Sequence, residues 1–230
     1  MHIQKFYHTL SFDLNVILRV ITSPNSAFAQ IRDNEEKYFA QSIGLLIVSS
    51  ILTAFVILPF VMIPLDEAYF EGVDDVDLPT EDAHMILAAG VGFLKGIVSF
   101  VALYFIGKKL GGNTNWKKVL SVFFHTYVPV IPMMIILSVL VFLMWGSLAE
   151  INPTYLMSPD ADEEQVLSVI GPILAYVLMI AIFAIVFMVW IMVISVKAIK
   201  VVNGFDTGKA FGLLILVMII ASAVSIVFNV

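Results

Sequence analysis

Lys95, His125 and Tyr127 are the side chains best placed to do chemistry inside an otherwise apolar chain. Lys95 sits in the middle of a long apolar run, where a charged side chain costs at least about 2.5–3.5 kcal/mol. It must find polar company or snorkel to an interface. Candidate neighbours are His125, Tyr127, Tyr176, Ser195 and the serines Ser49 and Ser50. His125 lies about two turns into another apolar run, with Pro129 and Pro132 after it. Prolines free carbonyls and favour a helix kink, which could open a polar pocket around His125 and Tyr127. Two readings stay open: a functional cavity or proton relay, and a structural amine and histidine satisfied by hydrogen bonds.

Elsewhere the chemistry thins out. Glu81, Asp82 and His84 could offer ligands to a divalent cation, but their spacing follows no ordered calcium loop, and a solvated acidic face is the competing reading. The chain has no cysteine, which excludes disulfides, thiolate metal sites and cysteine nucleophiles. No metalloprotease helix, phosphate-binding loop or Ser-His-Asp pattern occurs, and no intramembrane protease motif. No catalytic residue, metal or cofactor is expected, and the chain does not read as an enzyme.

The elements that position these residues follow from composition. Of 230 residues, 60% are hydrophobic and 13% charged, against roughly 25% charged in a soluble domain. Five apolar segments reach the roughly 20 helical residues that cross a hydrocarbon core: Phe39–Ile63, Met85–Ile106, Val119–Trp145, Gly171–Val196 and Ala210–Phe228. The fold class is therefore all-α, a polytopic bundle of five transmembrane helices. Ala88, Gly92 and Gly96 form a small-residue ridge beside Lys95, where a second helix can approach.

Eleven of the twelve basic residues alternate onto one side of such a bundle. Lys5, Arg19, Arg32 and Lys37 precede the first span. Lys108, Lys109, Lys117 and Lys118 follow the second, and Lys197, Lys200 and Lys209 follow the fourth. The other two loops carry eight and five carboxylates and no basic residue. This asymmetry predicts a cytoplasmic amino terminus and an external carboxy terminus. It also predicts contact of the lysines with anionic lipids of the inner leaflet.

Residues 1–38 read as a separate interfacial region, ahead of the membrane domain 39–230. Ile3, Phe6, Tyr7, Leu10, Leu14, Ile17, Leu18 and Ile21 recur at helical spacing. Ser23-Pro24 reads as a helix start with Ser23 as N-cap, and Ala27, Phe28 and Ile31 form the apolar side of the second short helix. Both amphipathic helices suit the inner leaflet or the underside of the bundle. Thr114 and Asp206 are expected to cap the later helices, after turns at Gly111-Gly112 and Asn203-Gly204.

Three stretches resemble the Yip family, the Ypt/Rab-interacting membrane proteins, in a prokaryotic-type form. They are Thr22-Ser-Pro-Asn-Ser-Ala-Phe28; Gly111-Gly-Asn-Thr-Asn-Trp-Lys-Lys-Val-Leu-Ser121 with Tyr127-Val-Pro129; and Trp190 with Val202-Asn-Gly-Phe-Asp-Thr-Gly-Lys-Ala210. The family-like positions are Pro24, Phe28, Gly111, Gly112, Trp190, Gly204, Lys209 and Ala210. The resemblance covers roughly residues 21–228. It implies a five-helix membrane domain with a cytosolic amino terminus. Eukaryotic members are linked to vesicle traffic and small Rab-type GTPases. The present sequence lacks the Asp-Leu-Tyr-Gly-Pro motif ahead of the first span, so the resemblance implies the membrane domain rather than GTPase binding.

The expected function is non-catalytic: membrane organisation, trafficking-like scaffolding or partner recruitment through a basic cytoplasmic face. The alternative is a small transporter or channel component built around Lys95 and His125. Expected partners are the bilayer, anionic lipids, an unidentified protein and a second copy of the chain, with no nucleic acid. In a prokaryote the location would be the plasma membrane.

Overall fold

The structure is a computed structural model that describes residues 12–61, 81–149 and 163–228. Among the described residues, helices are the only regular secondary structure. Two short helices, α1 (Leu14–Thr22) and α2 (Pro24–Asp33), precede α3 (Glu35–Val61) and α4 (Glu81–Lys109). A broken element follows, made of α5 (Trp116–Phe124), a 3₁₀ turn (His125–Tyr127) and α6 (Val130–Ala149). The chain closes with α7 (Glu163–Asn203) and α8 (Thr207–Phe228). Among the described residues, five segments are long and apolar enough to span a membrane: Glu35–Val56, Ile86–Lys109, Trp116–Met144, Ile170–Asn203 and Thr207–Val224. The two acidic loops fall largely outside the described residues, as do Ile3, Phe6, Tyr7 and Leu10, and so do the side chains of Glu81, Asp82 and His84.

The fully buried core gathers at the end of the bundle that carries the lysines, the basic end. Phe28 and Ile31 of α2, Tyr38 and Leu45 of α3, Val122 and Phe124 of α5, and Ile199 of α7 meet there. Away from it, apolar side chains such as Ile182, Ile185 and Val186 of α7 stand exposed. That pattern suits a helix whose solvent is hydrocarbon. The small-residue ridge packs as spaced: Ala88 is buried, and a Cβ on Gly92 would meet the Ser50 backbone at 3.6 Å.

Three local expectations need correction. Helix α1 docks on the bundle through Val16 and Val20, which are buried, whereas Leu14 and Leu18 stand 67% and 60% exposed. The helix is apolar on more than one face, so one stripe packs on protein and another is left exposed. Asp13 starts α1 as its N-cap, its carboxylate accepting from the Val16 N–H at 3.3 Å. Ser23 occupies the N-cap position of α2, yet its side chain makes no capping bond. Asn115, not Thr114, caps α5, accepting from the N–H groups of Lys117 and Lys118.

In the third span the prolines stand where the helix is interrupted by a 3₁₀ turn. Pro129 has no N–H to donate to the carbonyl four residues back, that of His125. The Val128 N–H takes that carbonyl at 3.2 Å, and the chain tightens to a 3₁₀ turn. Pro132 falls in the first turn of α6, where an absent N–H costs little.

Candidate functional site

Lys95 lies on α4 about 14 residues, or roughly 21 Å, from the basic-end terminus of that helix at Lys109. Its side chain is half-buried and lines a cavity of about 220 Å³ between α3, α4 and the start of α6. Ser49, Ser50, Thr53 and Tyr127 line the same cavity. The three α3 hydroxyls are held in place: Ser49 and Ser50 both donate to the Leu46 carbonyl, at 2.9 and 2.8 Å. Thr53 donates to the Ser49 carbonyl at 2.9 Å. With its proton committed to an α3 carbonyl, each of these oxygens is left with acceptor capacity.

The intramembrane candidates do not form one constellation. Tyr127 lines the Lys95 cavity and also a larger one of about 440 Å³ bordered by α4, α6, α7 and α8, and so lies where the two meet. Ser195 belongs to that larger, mostly apolar space, together with Ser99 and Thr126. His125 lines neither. It is fully buried, its Nδ1 2.7 Å from the Ser121 carbonyl and 3.2 Å from Ser42 Oγ. A carbonyl can only accept, so Nδ1 carries the proton. Tyr38 packs edge-on against the imidazole at 5.9 Å. This arrangement fixes the histidine as a bolt between α3 and α5, so a relay from Lys95 through His125 has no geometric support.

At the basic end, the family-like positions build a clasp. Helix α4 stops where Gly111 takes φ +85°, with Gly111 N–H bonded to the Lys108 carbonyl at 3.0 Å and Gly112 N–H to the Gly107 carbonyl at 2.8 Å. This is a glycine C-terminal cap. Helix α7 stops the same way at Gly204, φ +69°. The carbonyls orphaned at the end of α7 are then met from other elements. Asn113 Nδ2 donates to the Val202 carbonyl at 3.1 Å, and the Arg32 guanidinium to the Val201 carbonyl at 3.1 Å. Asn203 Oδ1 in return accepts the Asn113 N–H at 3.0 Å. Lys209 donates to the Leu110 carbonyl and lies over the Phe205 ring at 4.4 Å.

The clasp continues into the amino-terminal helices. Asn115 Nδ2 reaches Glu35 Oε1 at 3.2 Å. The Asp13 carboxylate receives the Lys37 ammonium at 2.9 Å and the Tyr38 hydroxyl at 3.1 Å. The Lys37 bond is the main cause that holds the Asp13 carboxyl below its ordinary value. Gln30 donates to the same Tyr38 oxygen at 2.8 Å, and Arg19 reaches Gln30 at 2.6 Å and Ser26 at 3.0 Å. Asp206 accepts the Lys209 N–H at 2.9 Å as the α8 cap, as expected from sequence.

The remaining family-like positions are packing residues. Pro24 opens α2, Phe28 and Ala210 are fully buried, and half-buried Trp190 meets Phe187 edge-on at 5.4 Å. Among the basic residues, Lys108, Lys109, Lys117, Lys200 and Lys209 are exposed, while Lys118 and Lys197 are half-buried. Sequence reasoning missed Ser42, Ser121, Asn113, Asn115 and Asn203 as structural partners. The only available signal was the density of asparagine beside the two glycine turns.

The family model described as the Yip1 domain matches residues 18–228, from within α1 to the last residue of α8. No curated protein and no solved structure matches the chain.

Proposed function

The chain belongs to the Yip1 domain family and is an integral membrane protein, and from that premise we propose a non-catalytic role: organising its membrane and recruiting partners through a basic face turned to the cytoplasm. The observation that carries this reading is the clasp. Segments that precede and follow different spans are bonded side chain to backbone, across 90 residues between Asn113 and Asn203 and 169 between Arg32 and Val201. An ordered polar surface of this kind gives a partner a fixed pattern of charge, with little ordering entropy left to lose on binding. The exposed lysines Lys108, Lys109 and Lys117 stand on that face, and the positive-inside asymmetry supports its cytoplasmic placement.

The test is detergent-free extraction in polymer-bounded membrane discs, comparing neighbours retained by the native chain and by a Lys108→Glu/Lys109→Glu/Lys117→Glu variant. The reading expects at least one protein neighbour lost on charge reversal. Identical neighbour sets from the two chains would contradict it.

A second reading, a transport or channel component, has one observation in its favour: Lys95 lines the same cavity as the hydroxyl-bearing Ser49, Ser50, Thr53 and Tyr127. Solute or ion flux in proteoliposomes that disappears in Lys95→Met, with the fold intact, would favour it over recruitment.

A further inference from the structure

A groove of about 670 Å³ opens between the start of α2, the last turns of α7 and the first turns of α8. Its two long walls change character in the same direction. On α7, Val189, Val193 and Lys197 recur at four-residue spacing and Lys200 follows three later, so one helix face runs from apolar to basic. On α8, Thr207 and Gly208 stand at the basic end and Phe211 lies one turn deeper. Asn25 of α2 borders the groove as a further polar group. From Val189 to Lys200 the stripe covers 11 residues, roughly 16 Å along the helix. That is close to half of a hydrocarbon core of about 30 Å.

A wall that is apolar for the depth of one leaflet and cationic where that leaflet ends is complementary to a single amphiphile with an anionic head. We propose that this groove binds one anionic phospholipid, its phosphate between Lys197 and Lys200 and an acyl chain along Val189, Val193 and Phe211. Lys200 Nζ lies 3.3 Å from Thr207 Oγ1, so the ammonium and the hydroxyl already converge at the mouth. Lys209, by contrast, is turned away onto the Leu110 carbonyl and the Phe205 ring. The α8 N-terminus supplies little of the attraction, because the Asp206 carboxylate already accepts its N–H groups. The lysine pair therefore carries the recognition of charge, and the apolar stripe distinguishes a lipid from a free phosphate.

This inference deepens the basic-face reading by naming one lipid-sized site on it. Its test is independent of orientation and of any protein partner, so its failure would leave recruitment untouched. The 230-residue chain is placed in nanodiscs of phosphatidylcholine with a minor fraction of phosphatidylglycerol, and retained lipid is counted by native mass spectrometry. One phosphatidylglycerol should be retained per chain. Lys197→Gln/Lys200→Gln should weaken its retention roughly 30-fold, the product of about fivefold per basic residue near a membrane surface. Val193→Trp, which keeps both lysines and fills the groove, should also abolish retention, and Lys197→Arg/Lys200→Arg should preserve it. Lys108→Gln/Lys109→Gln, outside the groove, serves as the surface-charge control, and a thermal melt of each variant establishes folding. Equal retention by the folded Lys197→Gln/Lys200→Gln chain would overturn the proposal. So would equal loss in the Lys108/Lys109 control, or displacement of the lipid by millimolar glycerol phosphate.

Discussion

The Asn113 N–H donates to Asn203 Oδ1 at 3.0 Å, joining the turn after α4 to the end of α7. The side-chain amide of Asn113 returns the contact to the Val202 carbonyl, so each turn completes the polar bonding of the other. Asn203→Ala removes the acceptor and strands a partly buried N–H, at a cost of about 1–3 kcal/mol. For a chain of this size that lowers Tm by several degrees. Thermal unfolding in a fixed detergent is the measurement, and an unchanged Tm would show that the clasp contributes nothing to stability.

Gly112 is the tightest point of the same corner. A Cβ there would lie 2.8 Å from the Gly107 carbonyl oxygen and closer still to Asn203 Oδ1. Gly112→Ala is expected to destabilise at least as much as Asn203→Ala. In the double variant the two effects should be less than additive, because the closer of the two clashing atoms is gone while the Gly107 carbonyl oxygen remains.

The amino-terminal arm should respond differently to substitutions on its two apolar stripes. Val16→Glu/Val20→Glu forces carboxylates into a fully buried contact. Limited proteolysis of reconstituted protein should then cut within residues 12–34. Leu14→Glu/Leu18→Glu alters exposed positions and should leave that region protected. Equal cleavage of both variants would show that Val16 and Val20 do not hold the arm.

The arm also has a pH signature. Asp13 is held below its ordinary value of 3.8, chiefly by the Lys37 bond, so it binds protons less readily docked than free. Its contribution is present above pH 3.8 and is lost only as pH falls through the lower docked value. Protease protection of the arm should persist at pH 5 and weaken below the ordinary value. Asp13→Asn should remove that acid sensitivity.

The spans were legible in the sequence because hydrocarbon leaves few alternatives: a run of about 20 apolar residues must satisfy its own backbone as a helix. The glycine turns at Gly111 and Gly204 were legible too, since a left-handed φ after a helix favours glycine. The clasp was not, because an asparagine amide meeting a carbonyl 89 residues away leaves no periodic trace. Pro129 announced a disruption of the third span. Placing the 3₁₀ turn at His125–Tyr127 requires asking which carbonyl the proline leaves without a donor. The docking stripe of α1 was misread because Leu14 and Leu18 share the helical spacing of the true contact residues and only tertiary packing separates them. Of the polar residues proposed around Lys95, Ser49, Ser50 and Tyr127 share its cavity, while His125 and Ser195 are placed elsewhere.

On the proposed reading, the clasped basic end is the cytoplasmic face. Single-cysteine labelling addresses it directly, because the native chain contains no cysteine to confuse the result. Cysteine is introduced at Lys117 or Thr207 on the basic end, and at Asp75 or Asp162 in the two acidic loops. Intact cells are then treated with a membrane-impermeant maleimide. Labelling is expected at Asp75→Cys and Asp162→Cys in intact cells, and at Lys117→Cys and Thr207→Cys only after permeabilisation. Labelling of Lys117→Cys and Thr207→Cys from outside, with the acidic loops protected, would contradict it.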